Sequence, residues 1–258
     1  MITGFHHVVI AVRDLAAGVA AYETLLGAKA SDASEEDGVA TALIATSNIA
    51  VELMAPIGDG EAARRLLAAI KDGGEGLKSL VFATGDVAQA HSRFERVGLA
   101  PEAITARGSF RLNTERTHGV RLFVMSPRAE QAHAAHVKGL DHIVIRTPDA
   151  ERAAALYGAR LGLDMRLDRE VAGRRLMFFR CGDAVVELVH DVTIEGGRDR
   201  FWGLSWRARD ADAERARLAA AGLDVSEVRQ GVKPGTRVFT ARNGTAGAPT
   251  LMIEHAPR

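Results

Sequence analysis

The sequence predicts an α+β protein built from four βαβββ modules, and three observations carry that prediction. First, the run Gly4-Phe5-His6-His7-Val8-Val9-Ile10 returns later as Gly139-Leu140-Asp141-His142-Ile143-Val144-Ile145. Second, the interval is kept well beyond that motif. His142 lies 135 positions after His7, and Glu187 in Val186-Glu187-Leu188 lies 135 positions after Glu52 in Val51-Glu52-Leu53. Third, each half contains a weaker copy of the same unit. One offset shared by a strand, a helix and a later strand marks a duplicated structural unit.

Taken in order, the first strand-like run is followed by a helix-like stretch over 14–22 and the pair Leu26-Gly27. Its later copy gives 149–157 and Leu161-Gly162. Short β-prone runs come next, at 39–45 and 49–55 in the first copy and at 176–181 and 184–190 in the later one. Turn residues, Ser47-Asn48 and Gly182-Asp183, separate the members of each pair. The weaker copies begin at 77–82 and 202–206, and each leads into a helix-like run, 86–97 and 210–221. Val87, His91, Phe94 and Val97 have helical apolar spacing, whereas Ala213, Ala216, Leu218 and Ala220 give an alanine-rich face. Gly98 and Gly222 stop these helices, because glycine accepts the left-handed conformation found there. The modules fall at 4–56, 76–127, 139–191 and 201–256, which divides the chain into halves at 1–130 and 137–258. A linking helix is expected over 61–71, with Ala62, Leu66, Leu67 and Ile70 on one face. The stretch 128–138 reads as the linker between halves. Its His133 and His136 fit a solvated linker better than a metal site, because no carboxylate accompanies them.

Composition narrows the function. The 258 residues suffice for two ordinary domains, and 47% apolar with 26% charged residues fits a globular chain. Lys+Arg and Asp+Glu are both 33, so no net charge draws the chain to nucleic acid or to a membrane surface. The single cysteine, Cys181, excludes an intramolecular disulfide framework and a cysteine-rich zinc site; its apolar neighbours suit a buried structural thiol. No apolar run approaches the ~20 residues that span a bilayer, and the N-terminal residues lack the form of a signal peptide. A cytoplasmic location is expected.

The order of a G-[FL]-x-H-[VI]-V-I strand, a helix beginning at Asp and carrying Tyr, an L-G pair and a V-E-L strand resembles the vicinal oxygen chelate superfamily of glyoxalases, bleomycin-resistance proteins and extradiol dioxygenases. The stretch from Val51-Glu52-Leu53-Met54-Ala55-Pro56 to Gly74-Glu75-Gly76-Leu77 is similar to methylmalonyl-CoA epimerases. The resemblance implies that modules pair into two cupped mixed sheets. It also implies a divalent metal (Fe, Mn, Co, Ni, Zn or Mg) in the cup, held by a His on a module's first strand and a Glu on its last. Such a centre leaves positions for two neighbouring substrate oxygens.

Carried over, the pattern gives His7 and Glu52 in the first module and His142 and Glu187 in the third. In the second module the His position is Ser79, with no Glu on the strand over 120–124. In the fourth, the His position reads as Leu204, while Glu254 stands on the last strand. Consecutive pairing therefore offers His142, Glu187 and Glu254 in one half and His7 and Glu52 in the other. Crosswise pairing of the first and fourth modules would offer His7, Glu52 and Glu254. Consecutive pairing is favoured, because the epimerase-like linker joins a self-contained pair.

The expected activity is metal-dependent isomerase, epimerase or lyase chemistry on a small oxygenated molecule, with Glu187 as ligand or proton-transferring base. Extradiol cleavage is disfavoured, because Leu204 removes the second His. The alternative is a metal-free binding protein that holds a flat apolar ligand, with Phe201, Trp202 and Trp206 as candidate pocket wall. His190 and His255 are expected outside the cup, and Arg121, Arg207 and Arg237 on the solvated surface. The partner is a small-molecule substrate, and a homodimer is one assembly open to such a chain. The glycines of Gly231-Val232-Lys233-Pro234-Gly235 suit a turn and lack phosphate-loop spacing.

Overall fold

The computed structural model describes residues 1–31, 33–128 and 135–256. Its first module contains β1 (Ile2–Ala11), α1 (Leu15–Leu26), β2 (Ser34–Glu36), β3 (Val39–Ala45) and β4 (Ala50–Pro56). A linking helix, α2 (Glu61–Gly73), leads to the second module of β5 (Gly76–Thr84), α3 (Val87–Arg96), β6 (Ser109–Arg111) and β7 (Arg121–Met125). The third has β8 (Leu140–Thr147), α4 (Ala150–Ala154), β9 (Asp164–Val171), β10 (Arg174–Cys181) and β11 (Ala184–His190). Here α4 continues as a π-helical turn over Ala155–Arg160. The fourth has β12 (Arg200–Arg207), α5 (Ala211–Ala220), β13 (Arg229–Gln230), β14 (Thr236–Ala241) and β15 (Thr250–His255).

One device starts all four module helices. Asp14, Asp86, Asp149 and Asp210 take the N-cap in extended backbone, and each carboxylate accepts a backbone N–H of the first turn. That bond satisfies a donor the helix cannot pair internally, at a typical gain of about 1 kcal/mol. The four caps fix where each module's chain turns from strand to helix.

The strands form two curled mixed sheets. A seven-stranded sheet runs β2-β3-β4-β1-β5-β7-β6, and an eight-stranded sheet runs β13-β14-β15-β12-β8-β11-β10-β9. Parallel pairs join the first and last strands of modules, as in β8 with β11, β12 with β15 and β5 with β7. Antiparallel hairpins complete them, as in β3 with β4, β10 with β11 and β14 with β15. The repeat thus predicts the architecture correctly.

Backbone contacts divide the chain into two compact units. One comprises Met1–His7, Lys78–Glu130 and His142–Trp202, and the other Val8–Leu77, Gln131–Asp141 and Gly203–Arg258. The first unit buries Phe82, Phe94, Phe110, Tyr157 and Phe179 completely or nearly so; the second does the same with Tyr22, Leu25, Ile44, Trp206 and Phe239. Each such side chain contributes roughly 1.5–3 kcal/mol of apolar burial.

One local expectation needs correction. In α2 the buried residues are Ala63 and Ile70, while Leu67 is more than half exposed. Ala63 and Ile70 are two turns apart and form the centre of the buried stripe, and Leu67 lies at its edge. His136 is exposed in the linker, as expected, with its ring beside Gly27. His133 lies outside the described residues.

Candidate functional site

In the first unit, β8 and β11 run parallel with His142 opposite Val185, Val144 opposite Glu187 and Arg146 opposite Val189. Side chains alternate along a strand, so His142, Val144 and Arg146 share one face with Val185, Glu187 and Val189. The other face carries Ile143, Ile145, Val186 and Leu188, all fully buried. Glu187 is the diagonal neighbour of His142, which is why the two side chains meet. His142 Nε2 stands 3.1 Å from Glu187 Oε2, and both side chains are about one-seventh exposed (14%).

A second polar pair closes the other end of this strip. Arg146 Nε stands 3.2 Å from Asp191 Oδ2, and the Asp191 carboxylate also accepts from the backbone N and the Oγ1 of Thr193. These bonds from Thr193, with help from the charge of Arg146, hold Asp191 below the usual carboxylate range. The Arg146 guanidinium lies 4.9 Å from the centre of the Trp202 ring. Arg146, Asp191, Thr193, Ile194, Phe201 and Trp202 line an open pocket of about 430 Å³.

The first module carries the same His on β1. Its ring meets that of His6, with the two Nδ1 atoms 2.6 Å apart and the rings edge-on. At that distance one Nδ1 donates and the other accepts. His7 belongs to the first compact unit and Glu52, on β4, to the second. Ser79, at the corresponding place on β5, is buried and paired in register with Arg121.

The fourth module differs. Glu254 Oε2 accepts the backbone N–H of Ala211 at the start of α5 and stands 3.5 Å from Arg237 Nη1. In the register of β12 with β15, Leu204 and Trp206 lie opposite Thr250 and Met252, so Glu254 shares their face. Leu204, Trp206 and Met252 are buried, and α5 begins on that side. Counting from the helix caps explains this placement. His7, Ser79 and His142 each stand seven residues before Asp14, Asp86 and Asp149, and the residue seven before Asp210 is Gly203. The position matching His142 is therefore Gly203, not Leu204, because a one-residue slip moves a side chain to the other face. No imidazole fits there, since a Cβ on Gly203 would come within 2.5 Å of the Pro249 carbonyl oxygen.

A polar cluster missed by the sequence reading lies in the second unit. His255 Nε2 donates to Asp141 Oδ1 at 2.7 Å, and Arg207 Nε donates to the same oxygen at 3.1 Å. The alternation placing Glu254 on the α5 side puts His255 on the opposite face. Arg207 and Arg237 thus have internal partners. Cys181 is buried, and burial raises its thiol pKa, as expected of a structural residue. No helix among the described residues is long and apolar enough to cross a membrane.

Among the described residues, no group of three or more His, Cys, Asp or Glu side chains is gathered as a metal ion would require. The His142–Glu187 pair does fit part of such a centre. Two cis ligands of an octahedral ion, each at about 2.1 Å, stand roughly 3.0 Å apart, close to the 3.1 Å between His142 Nε2 and Glu187 Oε2.

Comparison with known proteins agrees with the fold. Residues 5–161 match the glyoxalase-like domain model, more than half the chain, and residues 141–240 match the glyoxalase/bleomycin resistance protein/dioxygenase superfamily model. The chain belongs to the glyoxalase-like domain family. It is 32% identical over 100 residues to an ethylmalonyl-CoA/methylmalonyl-CoA epimerase of Cereibacter sphaeroides, covering 38% of this chain and 73% of that relative. A mutant of 4-hydroxymandelate synthase from Streptomyces coelicolor shares the fold over 100% of this chain and 94% of its own (TM-score 0.78, 12% identity). A xylose isomerase-like TIM barrel/4-hydroxyphenylpyruvate dioxygenase fusion protein does so over 100% of this chain and 49% of its own (TM-score 0.73, 12% identity). Membership of the vicinal oxygen chelate superfamily follows, with an epimerase among its relatives.

Proposed function

We propose that this glyoxalase-like chain is a divalent-metal-dependent enzyme that moves a proton on a small oxygenated organic molecule, with His142 and Glu187 at its reacting centre. The observation that carries the reading is the 3.1 Å approach of His142 Nε2 to Glu187 Oε2 on the face of β8 and β11 away from the buried side. His142 Nε2 and one oxygen of Glu187 would hold the ion, with water and substrate oxygens completing its sphere. Bound there, the ion would polarise a substrate carbonyl and acidify the neighbouring carbon. Glu187 would act as a ligand or as the base that takes up that proton and returns it. Glu254 is omitted from this ligand set because its carboxylate is engaged at the start of α5. The epimerase relative supports proton transfer as the reaction type.

Metal analysis of protein purified without chelator tests the proposal. About one ion per chain is expected, lost in His142→Ala and kept in His7→Ala. An ion content unchanged by His142→Ala sinks the assignment.

A second reading has one observation in its favour, the lack of a three-donor group among the described residues. It makes the chain a metal-free binding protein for a small apolar ligand. Failure to take up Fe, Mn, Co, Ni, Zn or Mg, together with ligand binding after chelation, would favour it.

A further inference from the structure

We infer that the pocket around Arg146 and Trp202 is a carboxylate-recognition subsite, built to hold a flat organic monoanion by a two-point contact with the Arg146 guanidinium. This deepens the proposed function by naming a substrate class, and rests on that reading only for what happens to the ligand after it binds.

The guanidinium is fixed on two sides. Its Nε is engaged by Asp191, and its Cζ lies over the Trp202 ring. Asp191 is itself fixed by Thr193 and is nearly fully buried. An arginine held at Nε and set over an aromatic ring keeps its Nη1 and Nη2 donors for another acceptor, and that edge matches the two oxygens of a carboxylate. Among the described residues, Asp191 is the acceptor that meets Arg146. Arg146 and Trp202 both line the pocket, so the unused donors belong to a wall of a ligand-sized space.

The rest of the pocket selects against other ligands. Ile194, Phe201 and the nearly half-exposed Trp202 ring offer apolar surface for a flat body. Asp191, Glu195 and Arg200 line the same space, so two carboxylates offset two arginines and no excess positive charge favours a dianion such as phosphate over a single carboxylate. Arg146 is four residues along β8 from His142 on the same face, about 13 Å at a strand's rise. A substrate anchored at Arg146 therefore places its reacting carbon several bonds from its carboxylate.

Tryptophan fluorescence provides the test, with sodium benzoate as the probe and benzamide as its uncharged counterpart. The chain has two tryptophans, and Trp206 is fully buried, so Trp202 reports the pocket while Trp206 reports folding. Benzoate is expected to change the Trp202 emission saturably, and benzamide is not. Arg146→Met should weaken benzoate at least tenfold with Trp206 emission intact. Arg146→Lys, which keeps the charge and loses the fork, should weaken it nearly as much. Equal binding of benzamide, no saturable response to benzoate, or unchanged binding in both Arg146 variants overturns the inference. Benzoate binding should survive His142→Ala and chelation, so failure of the metal reading and failure of this subsite are read separately.

Discussion

Arg93 and Arg160 each close the end of the other's helix. From α3, the Arg93 guanidinium donates to the carbonyls of Arg160 (2.5 Å) and Ala159 (3.4 Å) at the end of the π-helical turn. In return, Arg160 donates to the carbonyls of Gly98 (2.6 Å) and Val97 (3.1 Å) at the end of α3. The carbonyls at a helix C-terminus lack internal partners and carry partial negative charge, so a cation placed there is favourable twice over. The second unit uses half of this device, with Arg217 of α5 donating to the carbonyls of Thr24 and Leu25 at the end of α1.

The exchange predicts non-additive stability. Arg93→Ala and Arg160→Ala should each cost ~1–2 kcal/mol, because charged donors are removed from helix-end carbonyls. Thermal melts should show a fall in Tm of about 2–4 °C per kcal/mol for a chain of this size. The double variant should depart from the sum of the singles by at least ~0.5 kcal/mol, since both contacts lie in one interface. Strict additivity would show that the two contacts act independently.

Glu254 gives a sharper test, because two roles compete for it. As the acceptor at the start of α5, Glu254→Ala should lower stability by ~0.5–2 kcal/mol, the range for losing a helix N-terminal acceptor. Metal content should stay at the wild-type level. Loss of the ion in Glu254→Ala without loss of stability would restore it to the ligand set.

The duplicated intervals made the fold legible, because a repeat copies distances along the chain and those distances survive when residues change. His142 and Glu187 could be paired from sequence for the same reason: the V-E-L strand and the H-[VI]-V-I strand keep one spacing in both halves. The fourth module was read one residue out of phase. Glu254 looked equivalent to Glu187, yet counting back from the Asp210 cap puts Gly203 where His142 stands in the third module. Neighbouring strand residues face opposite ways, so that slip turned a carboxylate on the α5 side into an apparent ligand. The His255–Asp141 contact joins residues 114 apart in the chain and left no local signal. The exchange between Arg93 and Arg160 is equally invisible, since apolar periodicity says nothing about which carbonyls a surface arginine reaches.

His118 predicts a specific loss of stability in acid. Burial, and then the charges of Arg152 and Arg160, lower its pKa from the ordinary 6.5 to about 4. Between those values the unfolded chain binds the proton and the folded chain does not, so stability rises with pH across the window. The contribution is complete above about pH 6.5 and is lost as the pH falls toward 4, by at most ~1.4 kcal/mol per pH unit. His118→Asn should flatten the decline, and asparagine tolerates the positive φ of 58° found there. Denaturant unfolding of both proteins from pH 7 to pH 4 checks this; parallel curves would assign the acid loss to other groups.

Tyr22 and Tyr157 occupy the same place in the repeat, 135 residues apart, and are both fully buried, yet the structure gives their hydroxyls different fates. Tyr22 donates to the carbonyl of Thr245 at 3.2 Å, whereas the Tyr157 hydroxyl has no hydrogen-bond partner among the described residues. Burial pushes both phenols up in pKa, so each is a neutral donor at ordinary pH. The difference lies in the helices that carry them. Tyr22 sits in a regular α-helix, and Tyr157 sits in the π-helical turn, where Leu161 N–H reaches back to the Leu156 carbonyl and the ring lies against Phe179. Tyr22→Phe removes a made bond and leaves the Thr245 carbonyl without it, which should cost ~1 kcal/mol. Tyr157→Phe removes an unpaired buried hydroxyl, whose desolvation costs ~1–3 kcal/mol, so the variant should equal or exceed wild-type stability. Paired denaturant melts decide it: a loss in Tyr157→Phe as large as that in Tyr22→Phe would mean that the Tyr157 hydroxyl is hydrogen-bonded in solution, most simply to an internal water.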